Sequence, residues 1–475
     1  MMTARRRVLA GLFAAIAGCL WVPPVFADAV RTHFAGPLPG RGEFVIHDAY
    51  ILSMDDKIGD IPHGDIHVRD GVIVAVGPHL SARGAKTIDG AGTIALPGFI
   101  DTHFHLWSSI LRAATESYFP LTLRLGPLYT PDDSYRSVRL GVAEAMLSGV
   151  TTINDWSHNV VSPAHADAEV RALQEMGIRG RFSYGWGQDL PPDRPMNIED
   201  VARVKQQWFP SGVSSDGLLS LGVAVRTPVE YQRGNTPMDV LKQDWLGARK
   251  LGLPITIHNR PGVVTVLQQN GLLGSDVLLV HPQAFSPEEI RALVDAGVKI
   301  SSSPFGENRT GSNPPRGPLL YRELAQAGVT FSLSVDEVVT NGKVDFFAVL
   351  RELIRSNGQR AGDHSQPVAP RKALEAATLE GARALGIEDK VGSLTPGKRA
   401  DIVLVRATDA NMLPVEDVPT SLALSGEPGN VDSVIIDGRI MIRQGKFTTL
   451  KLQNILQDAD AAAHELRARD PQLKK

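Results

Sequence analysis

The sequence predicts an α/β protein built around a (β/α)8 barrel, in which eight parallel strands alternate with helices. Three observations predict it. Short apolar runs rich in Val, Ile, Leu and Thr recur along the chain, most of them preceded by a helix-like segment, as strands buried on both faces of a parallel sheet require. These runs lie near residues 94–103, 150–155, 180–185, 218–225, 254–258, 277–281, 299–302 and 330–335, which supplies the eight strands. Four of them end in or lead into residues able to bind a metal ion or move a proton, and the C-terminal ends of barrel strands are where this fold keeps its active site.

The elements follow in order. Arg5, Arg6 and Arg7 precede an apolar stretch from Val8 to Val22, then Pro23, Pro24 and the small-residue site Val25-Phe26-Ala27, so residues 1–27 read as a secretory signal. The signal fits the twin-arginine or the Sec type, and the expected compartment is periplasmic or secreted, in a bacterium. Cys19 is the single cysteine, which leaves no internal disulfide and no thiolate metal site. Ile16-Ala17-Gly18-Cys19 also fits a lipoprotein processing site, the alternative in which Cys19 carries a lipid anchor. No stable membrane span is expected after the signal.

Residues 28–95 contain short alternating strands such as FVIHDAYIL and DIHVRDGVIVAVG, with Asp70-Gly71 as a hairpin turn. Residues 96–388 form the barrel. A helix over 132–148 is ended by Gly149, and another over 286–296 begins with Ser286 as N-cap, Pro287 at the first position and acidic residues in the first turn. The segment SPFGENRTGSNPPRG (303–317) follows the seventh strand and reads as a loop that shapes a pocket or as plain solvent loop. A further helix near 370–384 precedes residues 389–475, where strands return at DIVLV and SVIIDGRIMI and a tail helix from Asn454 to Arg469 covers the β unit.

A composition of 43% apolar residues, with 49 basic against 52 acidic, describes a soluble globular protein. The charge lies without runs, so no basic stripe exists to follow a nucleic acid backbone; the expected partner is a small-molecule substrate, and the chain is expected to form a homo-oligomer.

The chemistry concentrates at strand ends. His103 and His105, two apart in LPGFIDTHFHLW, project to one side of a strand while Thr102 and Phe104 face away, so two imidazoles can grip one metal ion. His258 ends PITIH, His281 ends VLLVH and Asp336 ends TFSLSVD. With PGFIDTHFH (97–105), AEAMLSGVTT (143–152) and EAATLEGARALGIEDKVGSLTPGKRADIVLV (375–405), these ends resemble the metal-dependent hydrolases of the amidohydrolase superfamily, in particular the branch of cytosine and guanine deaminases and triazine hydrolases. The likeness spans nearly everything after residue 40.

The resemblance implies a composite β-sandwich joining both chain ends, and His103, His105, His258 and Asp336 as metal ligands. It gives Asp336 the further task of accepting the proton of the attacking water, and His281 that of orienting this water or polarising the substrate. Imidazoles and a carboxylate suit one divalent ion, Zn²⁺ in first place with Fe²⁺ as substitute, which would bring bound water near neutral pKa. Two-metal members carry a bridging lysine at strand four, and SLGVAVRTP (220–228) has none, so one metal is expected. Trp107, His158 and Arg260 are candidates to line the substrate pocket, Arg260 by gripping a carboxylate or acidic ring oxygen; packing or a rim salt bridge are the alternatives.

One departure matters. Deaminases of this branch carry His-x-x-Glu where this chain has His258-Asn259-Arg260-Pro261, and proline can neither donate nor accept a proton. Glu116, Glu307 and Glu337 are the candidate substitutes, each otherwise expected on the solvated surface. The expected function is therefore hydrolysis of a non-peptide carbon–nitrogen bond in a small cyclic or amidine-like compound, with deamination as one form. The alternatives are amide hydrolysis or hydrolytic dehalogenation, and a non-catalytic envelope binding protein.

Overall fold

The structure, a computed structural model, describes residues 35–112, 114–229, 234–282, 284–308, 320–358 and 368–474. The signal read over residues 1–27, with Cys19, lies outside the described residues, as does the 303–317 loop beyond residue 308.

Eight parallel strands form the barrel: β1 Phe99–Phe104, β2 Val150–Ser157, β3 Arg179–Tyr184, β4 Leu219–Val225, β5 Ile255–His258, β6 Val277–Val280, β7 Lys299–Ser302 and β8 Phe331–Leu333. They neighbour one another in chain order. The ring closes just beyond β8, where Phe104 pairs with Asp336; His105 N–H donates to the Asp336 carbonyl (2.8 Å) and Asp336 N–H to the His103 carbonyl (3.0 Å).

The barrel interior contains a polar layer. Thr102 Oγ1 lies 2.8 Å from Ser301 Oγ and 2.9 Å from Ser332 Oγ, and Asn154 Nδ2 donates to the Thr102 carbonyl at 2.9 Å. Simple alternation directs Thr102 away from its histidine neighbours, yet it turns into the barrel toward β8 and β7. The register between β1 and β2 slips between Asp101 and Phe104, inserting one extra residue, and such a bulge re-aims side chains next to a site.

The run at 94–103 is two strands. Thr93–Pro97 pairs antiparallel with Ile402–Arg406 in a second, nine-stranded mixed sheet, and the chain crosses to β1 at Gly98, whose N–H donates to the Asp401 carbonyl (3.0 Å). A Cβ on Gly98 would sit 2.1 Å from Thr151 Oγ1, so only glycine fits the crossing. Strands from both chain ends make up this sheet. It wraps its own apolar core, which includes Phe44, Ile46, Ile66, Val68, Ile402, Leu404 and Ile435. Its hairpin at Asp70 (φ 50°) and Gly71 (φ 83°) turns as the Asp-Gly pair predicts.

The long helices sit within two residues of where the pattern puts them, with one break and one different packing partner. Pro131–Leu147 opens on a Thr130–Asp133 capping box and Pro287–Ala296 on a Ser286–Glu289 one. The segment 370–384 breaks at Thr378 (φ −131°, ψ −87°) into Pro370–Ala377 and Leu379–Leu385. The tail helix Leu452–Arg469 packs on barrel helix Pro131–Leu147 rather than over the β unit, because its buried face joins an apolar cluster there through Ala459, Ala462 and Leu466 and pairs with arginines: Arg139 Nη1 lies 3.2 Å from Asp458 and Arg136 Nη1 3.3 Å from Glu465.

A buried ion pair ties the two sheets together. Arg179, at the start of β3, donates to both oxygens of Asp401 at 2.7 and 2.9 Å, and Asp401 Oδ1 also accepts from the Asp437 N–H at 2.8 Å. Asp401→Ala leaves the buried guanidinium only its longer contact with Asp437 Oδ1 (3.5 Å), and denaturant unfolding should register a loss of up to about 3–5 kcal/mol.

Candidate metal centre

Five ring or carboxylate groups converge at the C-terminal mouth of the barrel. His103 and His105 come from the end of β1, His258 ends β5, His281 follows β6, and Asp336 follows β8. His103 Nε2 lies 3.2 Å from Asp336 Oδ1 and 3.3 Å from His258 Nε2. Its Nδ1 is buried without a hydrogen-bond partner, so Nε2 is the nitrogen turned toward other polar atoms. His105 Nε2 lies 3.4 Å, and His281 Nε2 3.9 Å, from the Asp336 carboxylate.

One donor atom each from His103, His258, His281 and Asp336 falls within a mutual 4.8 Å, a spacing suited to a single metal ion. His105 stands outside that group, whereas the sequence reading makes it a ligand and the resemblance leaves His281 to orient the attacking water or polarise the substrate. The backing of the two rings differs. His105 Nδ1 faces the Trp156 carbonyl (3.1 Å), which fixes its hydrogen there and turns the Nε2 lone pair to the cluster. His281 Nδ1 faces a carboxylate, Glu307 Oε1, at 3.2 Å.

Burial sets the electrostatics. Desolvation, reinforced by the neighbouring rings, pushes His103 down to about 3 and His258 well below its usual value, so both rings stay neutral with lone pairs available for a metal. Burial opposes ionisation of Asp336 as well, but the contacts with His103 and His105 outweigh it and hold the carboxyl well below the usual range. His281 (φ 69°) and Asp336 (φ 71°) both occupy the left-handed region, a strain of about 1–3 kcal/mol each that recurs at functional sites.

The remaining candidates fall into place around this cluster. Trp107 is fully buried and donates its indole N–H to His158 Nδ1 (3.1 Å). An indole nitrogen can only donate, so the His158 hydrogen sits on Nε2, 3.3 Å from the Tyr118 hydroxyl, with the ring 4.2 Å from that of His105. Trp107 thus reaches the site through His158. Arg260 donates to the Asn259 carbonyl at 2.9 Å, and its charge disfavours protonation of His258.

Of the three glutamates, Glu116 is exposed and paired with Arg124, as expected of a surface residue. The other two are buried. Glu337 accepts from the Thr340 N–H (2.8 Å) and hydroxyl, capping the turn beyond Asp336. Glu307 accepts from the Ser303 N–H (2.7 Å) and the Ser302 hydroxyl (2.6 Å) while facing His281. Both leave the surface because backbone and hydroxyl donors satisfy their oxygens.

The sequence matches the amidohydrolase family over residues 94–228 and 248–441. The chain belongs to that family. It is 30% identical over 433 residues to a 5'-deoxyadenosine deaminase of Methanothermobacter thermautotrophicus, covering 86% of this chain and 96% of the relative. Among solved structures it resembles an adenosine deaminase from Xanthomonas campestris with bound zinc (TM-score 0.77, 22% identity, 90% of this chain and 100% of that one). It also resembles atrazine chlorohydrolase TrzN from Arthrobacter aurescens complexed with zinc (TM-score 0.76, 23% identity, 88% and 100%).

Two features of this amidohydrolase centre escape a reading of motifs. Trp156 stacks on the His258 ring at 4.0 Å and 18°, with His281 parallel to His258 on a 5.3 Å spacing. Its position two residues before His158 on β2 was the available signal, since i and i+2 share a face. The other is the Glu307–His281 contact, which joins residues 26 apart through a helix of four residues, Pro304–Glu307, and has no spacing rule. Glu307→Gln should keep the fold and the bound metal while lowering turnover about 10–100-fold, measured as kcat at equal metal content; unchanged kcat would remove Glu307 from the machinery.

Proposed function

We propose that this chain is a single-metal hydrolase of carbon–nitrogen bonds in small cyclic or amidine-like compounds, with release of ammonia from a 6-aminopurine nucleoside as its reaction. The convergence of four histidines and an ionised aspartate at the barrel mouth carries the reading. The family membership and the deaminase relative support it. His103, His105, His258 and Asp336 would hold the metal, Zn²⁺ in first place, and this donor set fits because neutral imidazoles and a carboxylate are ligands that ion accepts. When bound, the metal supplies Lewis acidity and lowers the pKa of water.

The chain's own groups do the rest. Asp336, kept ionised, accepts the proton of the attacking water. His281, held by Glu307 on its far nitrogen, presents Nε2 toward Asp336 and the substrate side, where it orients water or meets the leaving nitrogen. Trp156 fixes the plane of His258, and His158 offers an Nε2 hydrogen to the pocket wall at Tyr118. The proposal includes export, supported by the arginines and apolar stretch of residues 5–22.

A second reading, amide hydrolysis or dehalogenation, is favoured by one observation. Proline at 261 leaves no acid after His258, and Glu337 and Glu307 are engaged with Thr340 and His281. Metal-loaded enzyme offered 5'-deoxyadenosine and other aminopurines, aminopyrimidines and aminotriazines separates the two: ammonia release supports deamination. Silence on that panel with turnover of amide or halo-triazine substrates selects the second reading.

Two variants test the roles. Asp336→Asn should lose about 10²–10⁴-fold in kcat in a metal-loaded sample, and near-normal rates there would sink the proton-transfer assignment. His105→Ala should empty the site of metal by elemental analysis whereas His281→Ala keeps it and loses turnover; the reverse result would exchange their roles.

A further inference from the structure

Strand β2 carries a second group of polar residues on the face away from the metal centre. Asn154 and Trp156 point into the barrel, toward Thr102 and His258. Alternation therefore turns Asp155 and Ser157 outward, toward the helices that cover the strand. Helix Pro131–Leu147 contributes Ser134 and helix Pro163–Met176 contributes Glu169. All four residues are 0% exposed. Both oxygens of Asp155, both of Glu169 and the hydroxyls of Ser134 and Ser157 are buried with no hydrogen-bond partner.

These atoms belong together. Asp155 and Glu169 act on each other electrostatically; the Leu106 N–H stands near Asp155 and the two hydroxyls stand near Glu169, each favouring the charged carboxylate without reaching full hydrogen-bond geometry. No lysine, arginine or histidine is among the groups acting on either acid. Two carboxylates buried without a counter-charge are strongly unfavourable unless something positive joins them.

We propose that Asp155, Glu169, Ser134 and Ser157 form a binding site for one hard, oxygen-seeking cation of the calcium type. The donor set consists entirely of oxygens and offers two carboxylates and two hydroxyls, which matches an ion that takes 6–8 oxygen ligands in flexible geometry. It lacks the imidazole or thiolate that zinc prefers, so the two sites would sort their metals by ligand softness. Burial drives Asp155 up and Glu169 up to about 7, so without a cation the pair holds protons, and a bound cation would have to displace them. The cation would pin the end of β2, whose Trp156 both stacks on His258 and accepts from His105 through its carbonyl. This inference stands whether or not the deaminase reading holds.

Elemental analysis of the full chain equilibrated with about 1 mM calcium chloride, then passed through metal-free buffer, should find one calcium per chain beside the transition metal. Thermal unfolding should rise by several degrees in calcium chloride relative to EGTA. Asp155→Asn with Glu169→Gln should lose the calcium and the shift while keeping the transition metal. Should that pair fail to fold, Ser134→Ala with Ser157→Ala should weaken calcium binding about tenfold, as one ligand oxygen at each of two positions is removed. No bound calcium, together with equal melting temperatures in calcium chloride, magnesium chloride and EGTA, overturns the proposal in favour of a shared proton. Stabilisation by magnesium alone overturns the calcium assignment.

Discussion

The seam where β1 meets β8 governs the rest of the molecule. The two hydrogen bonds that close the barrel run between the backbones of His103, His105 and Asp336, so one act of pairing closes the sheet and brings these side chains together. Asp101 reinforces the seam from below, its Oδ1 accepting from the N–H of His103 and of Val335, both at 3.2 Å. A bulge in β1, on its β2 side, and a left-handed Asp336 are the backbone distortions that flank this seam. They persist because the closed ring over-determines both positions.

Depth supplies the electrostatics that geometry alone would not. His103 is 0% exposed, which makes a proton on its ring costly and its contact with the Asp336 carboxylate strong. Rings that water would leave mobile are held by fixed neighbours: the Trp156 carbonyl behind His105, the Trp156 ring over His258, and Glu307 behind His281. Each support fixes a tautomer or a plane, so the cluster is oriented before any ligand arrives. Trp156 supports two of the three rings, which makes the packing of β2 against its outer helices a matter for the site as well as the fold.

Much of this was legible in the sequence, for identifiable reasons. Strand ends at His258, His281 and Asp336 could be located because buried parallel strands write themselves as short apolar runs. Capping at Ser286 and the Asp70-Gly71 turn are local chemistry and read directly. What failed was long-range or involved a register. Gly98 divides an unbroken apolar run between two sheets through a contact with Thr151, fifty-three residues away in the sequence. The slip at Asp101–Phe104 reversed the expected direction of Thr102, because alternation assumes an unbulged strand. Glu307 and Glu337 looked like surface residues because composition carries no information about the hydroxyls and N–H groups that satisfy them inside.

The relation between Pro261 and Glu307 bears on the chemistry of the whole site. The resemblance to deaminases implies a glutamate three residues after the β5 histidine, and this chain has Pro261 there. Among the described residues, Glu307 is the buried carboxyl, other than Asp336, that contacts one of the clustered rings. It approaches from the β7 side and stops at His281 Nδ1, so any influence it has on a substrate passes through that ring. On the proposed reading, the Glu307 contact would fix the orientation of the His281 ring so that Nε2 is the nitrogen available to a leaving nitrogen. Such delivery reaches a leaving amine as readily as an amide nitrogen. The absence of an acid after His258 therefore narrows the position from which a proton can come more than it narrows the kind of carbon–nitrogen bond that can break.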